Sequence, residues 1–445
     1  MKTLFRFPLI WLWAVLPCLI ACSSKQQPMP TEHGQISYFQ ERHQQYQTLG
    51  LDAGDIILVG DDVIDRGIWN RFYGSPRVKN RGIALEGTAC TAYRLPELMQ
   101  SKPSKVFLCT GLYDLKQQKP AQEVADALLE MATQAKKISP KSEIYILGIT
   151  PDPKLHALGS EWVDSAYVVN QRLQAAAQEQ SFTFLDPTSV LTDKQKILKD
   201  AYTFDGSRIN GAGYAQLTRF LEPYIGLPAQ NREDPNSNKS YLTLYPDMFG
   251  HYYSRVSIFN TLPLPERSII MLGNSLTNNC WWEEWTQNEK VINYGINGDT
   301  VEGVLMRLDS LIAANPAKIF LLISTNNFIN DASVQPEQVW ENYRRILIRL
   351  RTSLPDTELY VVSTLPQNPV SPYWEGRNEK VAAINKQLIQ YAPIYGFTYL
   401  DLATSLMDEA KNLDANYTID GIHLLPNAYR IWNKMIRPYL SDKIQ

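Results

Sequence analysis

Short runs of consecutive apolar residues, rich in β-branched side chains, alternate along this chain with longer stretches in which apolar residues recur every three or four positions. SIIMLG (268–273), KIFLLIS (318–324) and ELYVVS (358–363) lack the alternation of a half-exposed strand. They suit a parallel sheet covered on both faces. QPEQVWENYRRILIRLRTS (335–353) and NEKVAAINKQLIQYAPIY (378–395) carry helical spacing. Strands alternating with such helices predict a doubly wound α/β sheet.

The pattern occurs twice. Ile57-Leu58-Val59-Gly60-Asp61-Asp62 aligns with Ile270-Met271-Leu272-Gly273-Asn274-Ser275, and the offset of 213 then carries Gly82-Ile83 onto Gly295-Ile296 and Arg94-Leu95 onto Arg307-Leu308. From EIYILGITP (143–151) and ELYVVSTLP (358–366) onward it becomes 215, pairing FTFLD with FTYLD and YTFDG with YTIDG. A helix between these blocks is expected to have gained or lost two residues. Several blocks kept in order mean a duplicated domain. The expected organisation is a leader over 1–22, a tether over 23–37, a first domain over 38–226, a linker over 227–250 and a second domain over 251–445.

Composition narrows the function. The chain has 445 residues, 44% hydrophobic and 20% charged, enough for more than one buried core. A net charge near −3 gives no basic field, so nucleic acid is not an expected partner. Lys2 and Arg6 precede an apolar stretch from Phe7 to Ile20, too short to span a membrane, which reads as an export signal. Leu19-Ile20-Ala21-Cys22 resembles a bacterial lipobox, so Cys22 is the expected lipidation site and the cell envelope, facing periplasm or cell surface from the outer membrane, the expected location. Cys90, Cys109 and Cys280 have no paired spacing and support neither a disulfide framework nor a cysteine metal site.

Ser275 follows a predicted strand, at the carboxyl edge where open α/β sheets place ligands. A serine there caps a helix or, given a base, attacks a carbonyl. Among the five histidines only His423, in YTIDGIHLLPNAY, has a promising context, with Asp420 three residues earlier to orient the imidazole. Gly298 in NYGINGDT offers a backbone N–H that a reacting oxygen can approach, and Asn326 in ISTNNF offers a side-chain N–H just past another strand. Alone, each also reads as an ordinary turn residue. Trp281, Trp282 and Trp285 suit a pocket wall or the core equally.

Taken in order, Ser275, Gly298, Asn326, Asp420 and His423 resemble the SGNH (GDSL-like) hydrolase family over about residues 252 to 440. LGNSLT corresponds to its first block, INGDT to its second, Asn326 to the asparagine of its third and DGIH to its fifth. The resemblance implies two tandem flavodoxin-like three-layer α/β/α domains with parallel sheets. It also implies ester hydrolysis through an acyl-enzyme without metal or organic cofactor, acting on short acyl groups of a carbohydrate or lipid. Asn274 stands where the family has Asp, and Ser324-Thr325-Asn326-Asn327 where it has Gly-x-Asn-Asp, departures that bear on loop geometry and rate.

In the first copy every role except one is replaced. Ser275 maps to Asp62, Gly298 to Leu85, Asn326 to Tyr113 and His423 to Arg208, while Asp205 matches Asp420. A guanidinium is no base at neutral pH, so this half is expected to be a pseudoenzyme in which Arg208 bridges Asp62 and Asp205. The competing expectation for the whole chain is a non-catalytic glycan-binding or scaffold lipoprotein.

Overall fold

The computed structural model describes residues 29–30, 35–234, 241 and 248–441. The leader, Cys22, most of the tether and part of the linker lie outside the described residues. The first sheet consists of β1 (Ile56–Gly60), β2 (Val78–Gly82), β3 (Lys105–Cys109), β4 (Glu143–Leu147) and β5 (Thr183–Leu185), in the order β2-β1-β3-β4-β5. The second consists of β6 (Ile269–Gly273), β7 (Val291–Gly295), β8 (Lys318–Leu322), β9 (Glu358–Val362) and β10 (Thr398–Leu400), in the same relative order, β7-β6-β8-β9-β10. All paired strands run parallel. This is the flavodoxin-like order, and its switch point lies beside the first strand of each sheet.

The longer helices are α1 (Ile36–Leu49), α2 (Thr88–Gln100), α3 (Ala121–Ile138), α4 (Ser160–Ala176), α5 (Gly211–Ile225), α6 (Gly250–Thr261), α7 (Pro336–Ser353), α8 (Asn378–Tyr395) and α9 (Pro426–Ile436). Alternate strand residues bury against opposite helix layers. Ile270, Leu272, Ile319 and Leu321 meet Tyr343 and Leu347 of α7 and Ile384 of α8. Met271, Phe320 and Val362 meet Trp282 and, from α9, Tyr429 and Trp432. Two covered faces explain why these strands read as unbroken apolar runs.

The two-residue change of offset falls before α7 and is split. Helices α3 and α7 have 18 residues each, while the short helix after β8, Thr325–Asn330, is one residue longer than its counterpart Leu112–Lys116, and the loop that follows it, 331–335, is one residue longer than 117–120. A surface loop absorbs an insertion without shifting a packed helix face.

The halves pair about a pseudo-twofold axis by exchanging the helices that precede their first strands. Helix α6 opens the second half, yet Ile258 packs in the first half's core while Tyr252, Val256 and Phe259 pack in its own. Helix α1 does the reverse, with Phe39 and Tyr46 clustered with Trp281 of the second half. Arg42 Nη1 donates to the Asn279 carbonyl at 2.9 Å, and Arg255 Nη1 donates to the Arg66 carbonyl at 3.0 Å. These contacts are related by the same offset of 213 that relates the sequences.

Candidate active site

Gly273 of β6 stands level with Gly295 of β7 and Leu322 of β8, so three successive loops leave the sheet at one edge. A Cβ at Gly273 would lie 2.3 Å from the Leu322 carbonyl oxygen, and the missing side chain lets the strand end turn at once. Ser275 then opens the short helix Ser275–Asn278, whose N-cap Asn274 accepts a hydrogen bond from the Leu276 N–H at 3.0 Å. Asn274 thus shapes the turn, as Asp61 does in the first half by accepting from the Val63 N–H.

Ser275 is buried, and its Oγ lies 3.0 Å from His423 Nε2. His423 Nδ1 lies 2.7 Å from Asp420 Oδ2. A carboxylate only accepts, so Nδ1 carries the proton and Nε2 turns its lone pair to the serine hydroxyl. The Asp420 Oδ1 accepts the N–H groups of Ile422 and His423 at 2.9 and 2.8 Å, which fixes the carboxylate in a three-residue turn. Burial disfavours the Asp420 charge, but His423 and these N–H groups outweigh it and hold the carboxyl well below its usual range. Burial likewise opposes charge on His423, and Asp420 more than compensates, so the imidazole is raised above its ordinary value.

Gly298 sits in the loop after β7 at φ +76°, a left-handed turn. Asn326 lies in the helix Thr325–Asn330 after β8 and donates one Nδ2 hydrogen to the Asp299 carbonyl at 2.9 Å, which ties the Gly298 and Asn326 loops together. Ser324 occupies a left-handed position at φ +116° where the first half has Gly111 at φ +114°. Its Oγ shares a hydrogen bond with Thr364 Oγ1 at 2.7 Å, a local anchor for a conformation that a non-glycine residue adopts at a cost.

An ion pair that the sequence reading passed over braces these loops. Arg307 pairs with Asp299 at 2.8 Å and also donates to the carbonyls of Tyr294 and Gly273 at 2.8 and 3.1 Å. The first half has the same device in Arg94 and Glu86. The signal was an arginine kept in register in both copies, Arg94 on Arg307.

The tryptophans divide. Trp282 is core, its ring edge-on to Trp432 and its Nε1–H bonded to the Thr277 carbonyl. Trp281 serves the contact between halves, 3.4 Å beneath the Arg42 guanidinium. Trp285 is half-buried against the second half's core. Among the described residues a cavity of about 400 Å³ lies between the halves, walled by Arg71, Arg255, Trp281 and Glu283, and no triad residue lines it. A smaller one of about 290 Å³ is walled by Phe249, His251, Gly298 and Asn330.

At the equivalent place in the first half, Arg208 pairs with Asp205 as expected, but it does not bridge to Asp62. Asp62 is held instead by Arg66, one helical turn along the same short helix, at 2.7 Å. A partner four residues away is already in reach, so Asp62 needs no help from the distant loop. The second Asp62 oxygen accepts the Leu85 N–H at 2.9 Å. Leu85 keeps the left-handed turn of Gly298, at φ +62°. Tyr113 stands half-buried in the place of Asn326.

Parts of this chain are similar to known proteins. N-acylneuraminate cytidylyltransferase of Streptococcus agalactiae is 28% identical over 191 residues, 43% of this chain and 41% of that protein, so the chain spans less than half of that relative. The alpha2 subunit of platelet-activating factor acetylhydrolase IB of Rattus norvegicus is 24% identical over 170 residues, 37% of this chain and 72% of that protein. A GDSL-like lipase structure from Bacteroides thetaiotaomicron is 21% identical, covers 40% of this chain and 91% of its own, and has a TM-score of 0.36. The model of the GDSL-like lipase/acylhydrolase family matches residues 64–216 and again 271–431, so the chain belongs to that family and carries its domain twice.

Proposed function

We propose that the second half is a serine esterase that removes a short acyl group, such as acetyl, from a carbohydrate or lipid, and that the first half is a pseudoenzyme. One observation carries the reading: the unbroken chain from Ser275 Oγ through His423 to the Asp420 carboxylate, at 3.0 and 2.7 Å. His423 Nε2 takes the hydroxyl proton as Ser275 Oγ bonds to the ester carbonyl carbon, and Asp420 holds the resulting imidazolium. The oxyanion is received by the Gly298 N–H and by the Asn326 Nδ2 hydrogen not bound to Asp299. The C–O bond to the alcohol then breaks, with His423 returning its proton to the leaving oxygen. Water, activated by the same imidazole, releases the acid from Ser275.

The test is hydrolysis of p-nitrophenyl acetate and octanoate, with mapping of the residue labelled by a fluorophosphonate. Acetate turnover and label on Ser275 support the reading. A folded protein that neither turns over esters nor takes the label refutes it and leaves glycan binding. The leader pattern further supports an exported, lipid-anchored protein. Metabolic palmitate labelling that survives Cys22→Ser would count against that anchor.

A further inference from the structure

Helix α1 belongs to the first half by sequence, yet its buried face reaches the second half's site. A carboxylate oxygen of Glu41, one of Asp420 and a ring nitrogen of His423 lie within 4.8 Å of one another. Glu41 is only 2% exposed, and its Oε1 is buried with no hydrogen-bond partner. An unsatisfied buried carboxyl costs stability, so its place calls for a functional account.

The approach of Glu41 is fixed by its neighbour. Arg42 Nη1 donates to the Asn279 carbonyl, four residues past the nucleophile, Nη2 pairs with Asp65 at 2.8 Å, and the guanidinium lies over Trp281. The pseudo-twofold repeats this pin through Arg255 but does not repeat the carboxyl. The residue corresponding to Glu41 is Ser254, whose hydroxyl turns back to the Gly250 carbonyl of its own helix at 3.3 Å. The pin is two-sided. The carboxyl is present only on the side that holds the serine and the histidine.

Resting on the esterase reading, we propose that Glu41 is a positioning residue of the second half's active site, supplied by the first half, whose carboxyl sets the basicity of His423. The first half then completes the active site as well as packing against it.

The charged and titratable groups that face Glu41 are Arg42 on its own helix, Asp420 and His423 on the loop before α9, and Tyr429 on α9. Burial pushes the Glu41 carboxyl up to about 8, with His423 working against that rise and Asp420 adding to it. Glu41 and His423 therefore titrate as a pair. The pair's last proton leaves to solvent, and a neutral imidazole remains beside a second carboxylate. The imidazolium formed during serine attack then has two negative neighbours in place of one. Catalysis should rise through this last ionisation and fall as pH drops through it.

The measurement compares the full-length protein with Glu41→Gln, which keeps shape and removes charge, and with Glu41→Ser, which installs the residue of the other half. The readouts are the pH dependence of kcat/KM for p-nitrophenyl acetate and the pH titration of the His423 ring signal in NMR, assigned by its loss in His423→Gln. In both variants the acid limb and the ring titration should move to lower pH by about one unit or more, with the plateau rate falling about tenfold. Superimposable ring titrations in wild type and in either variant that melts cooperatively would overturn the inference. The ring titration reads the Glu41–His423 coupling even in a protein that hydrolyses no ester, so failure of the esterase reading is told apart from failure of this one.

Discussion

Each half has a five-stranded sheet of the same order, a buried ion pair and a left-handed turn after β2 or β7, and the halves differ in what that turn faces. In the first half the Leu85 N–H donates to the Asp62 carboxylate at 2.9 Å. In the second half Gly298 adopts the same turn and Ser275 takes the aspartate's place. The carboxylate shows where the turn's N–H points, toward an oxygen held by the residue that opens the short helix after the first strand. That is the direction required of an oxyanion donor, and in the second half the proposed reaction places a negative oxygen near there only transiently. The first half fills the position permanently with Asp62 and neutralises it with Arg66. The donor geometry therefore belongs to the fold, and the chemistry belongs to a few side chains.

The largest expected effect separates the halves outright. Ser275→Ala should lower turnover of p-nitrophenyl acetate by roughly six orders of magnitude. Asp62→Ala, its counterpart, should leave kcat/KM unchanged. Asp420→Asn should cost about 10⁴ in kcat, because an amide accepts poorly from Nδ1–H and releases the imidazole to the wrong tautomer. Asn326→Ala, which removes the side-chain donor, should lower kcat by about 10²–10³ with KM little changed. Tyr113→Ala in the first half should do neither. A loss of activity in Asp62→Ala or Tyr113→Ala would show that the first half's pocket takes part in turnover.

Much of this was legible in the sequence because the second half's groups lie either one turn apart or just past a strand end. Asp420 and His423 are three residues apart and meet through one turn, and Ser275, Gly298 and Asn326 each follow an apolar strand, so topology alone brings them to one edge. Contacts between the halves were not legible. Glu41 lies on a helix whose apolar and polar positions give no hint that its partner is residue 423, and Trp281 reads like any aromatic beside a helix start until Arg42 is seen over it. The expected bridge from Arg208 to Asp62 failed for a related reason. The alignment gave the equivalence of Arg208 with His423, but Arg66, a local competitor one turn from Asp62, has no counterpart in the catalytic constellation.

Stability sharpens the comparison more gently. Glu41 is raised in the folded protein, so the stability linked to its proton is fully present below the ordinary carboxylate value near 4.5 and is lost as pH rises through about 8. Glu41→Gln should therefore raise Tm above pH 8 and have little effect at pH 4. For a domain of this size each kcal/mol gained appears as about 2–4 °C. A more stable and slower variant is the signature of a group kept for function.

The smallest effect belongs to Asp62. Burial works against its charge, but Arg66 and the Leu85 N–H outweigh it and lower the carboxyl below its ordinary value. A depressed carboxylate contributes stability above its unfolded titration, and that contribution disappears as pH falls through the folded one. Asp62→Asn should thus lower Tm at pH 7 and lose that effect once the pH is low enough to protonate the folded carboxyl, in differential scanning calorimetry at matched ionic strength. Because the pair is partly open to solvent, the loss should be at the scale of a surface ion pair, about 0.2–1 kcal/mol, and should shrink in high salt. A much larger loss, undiminished by salt, would mean that Asp62 is a structural keystone of the first half. Its identity would then follow from what the fold demands, with no need of a lost active site to account for it.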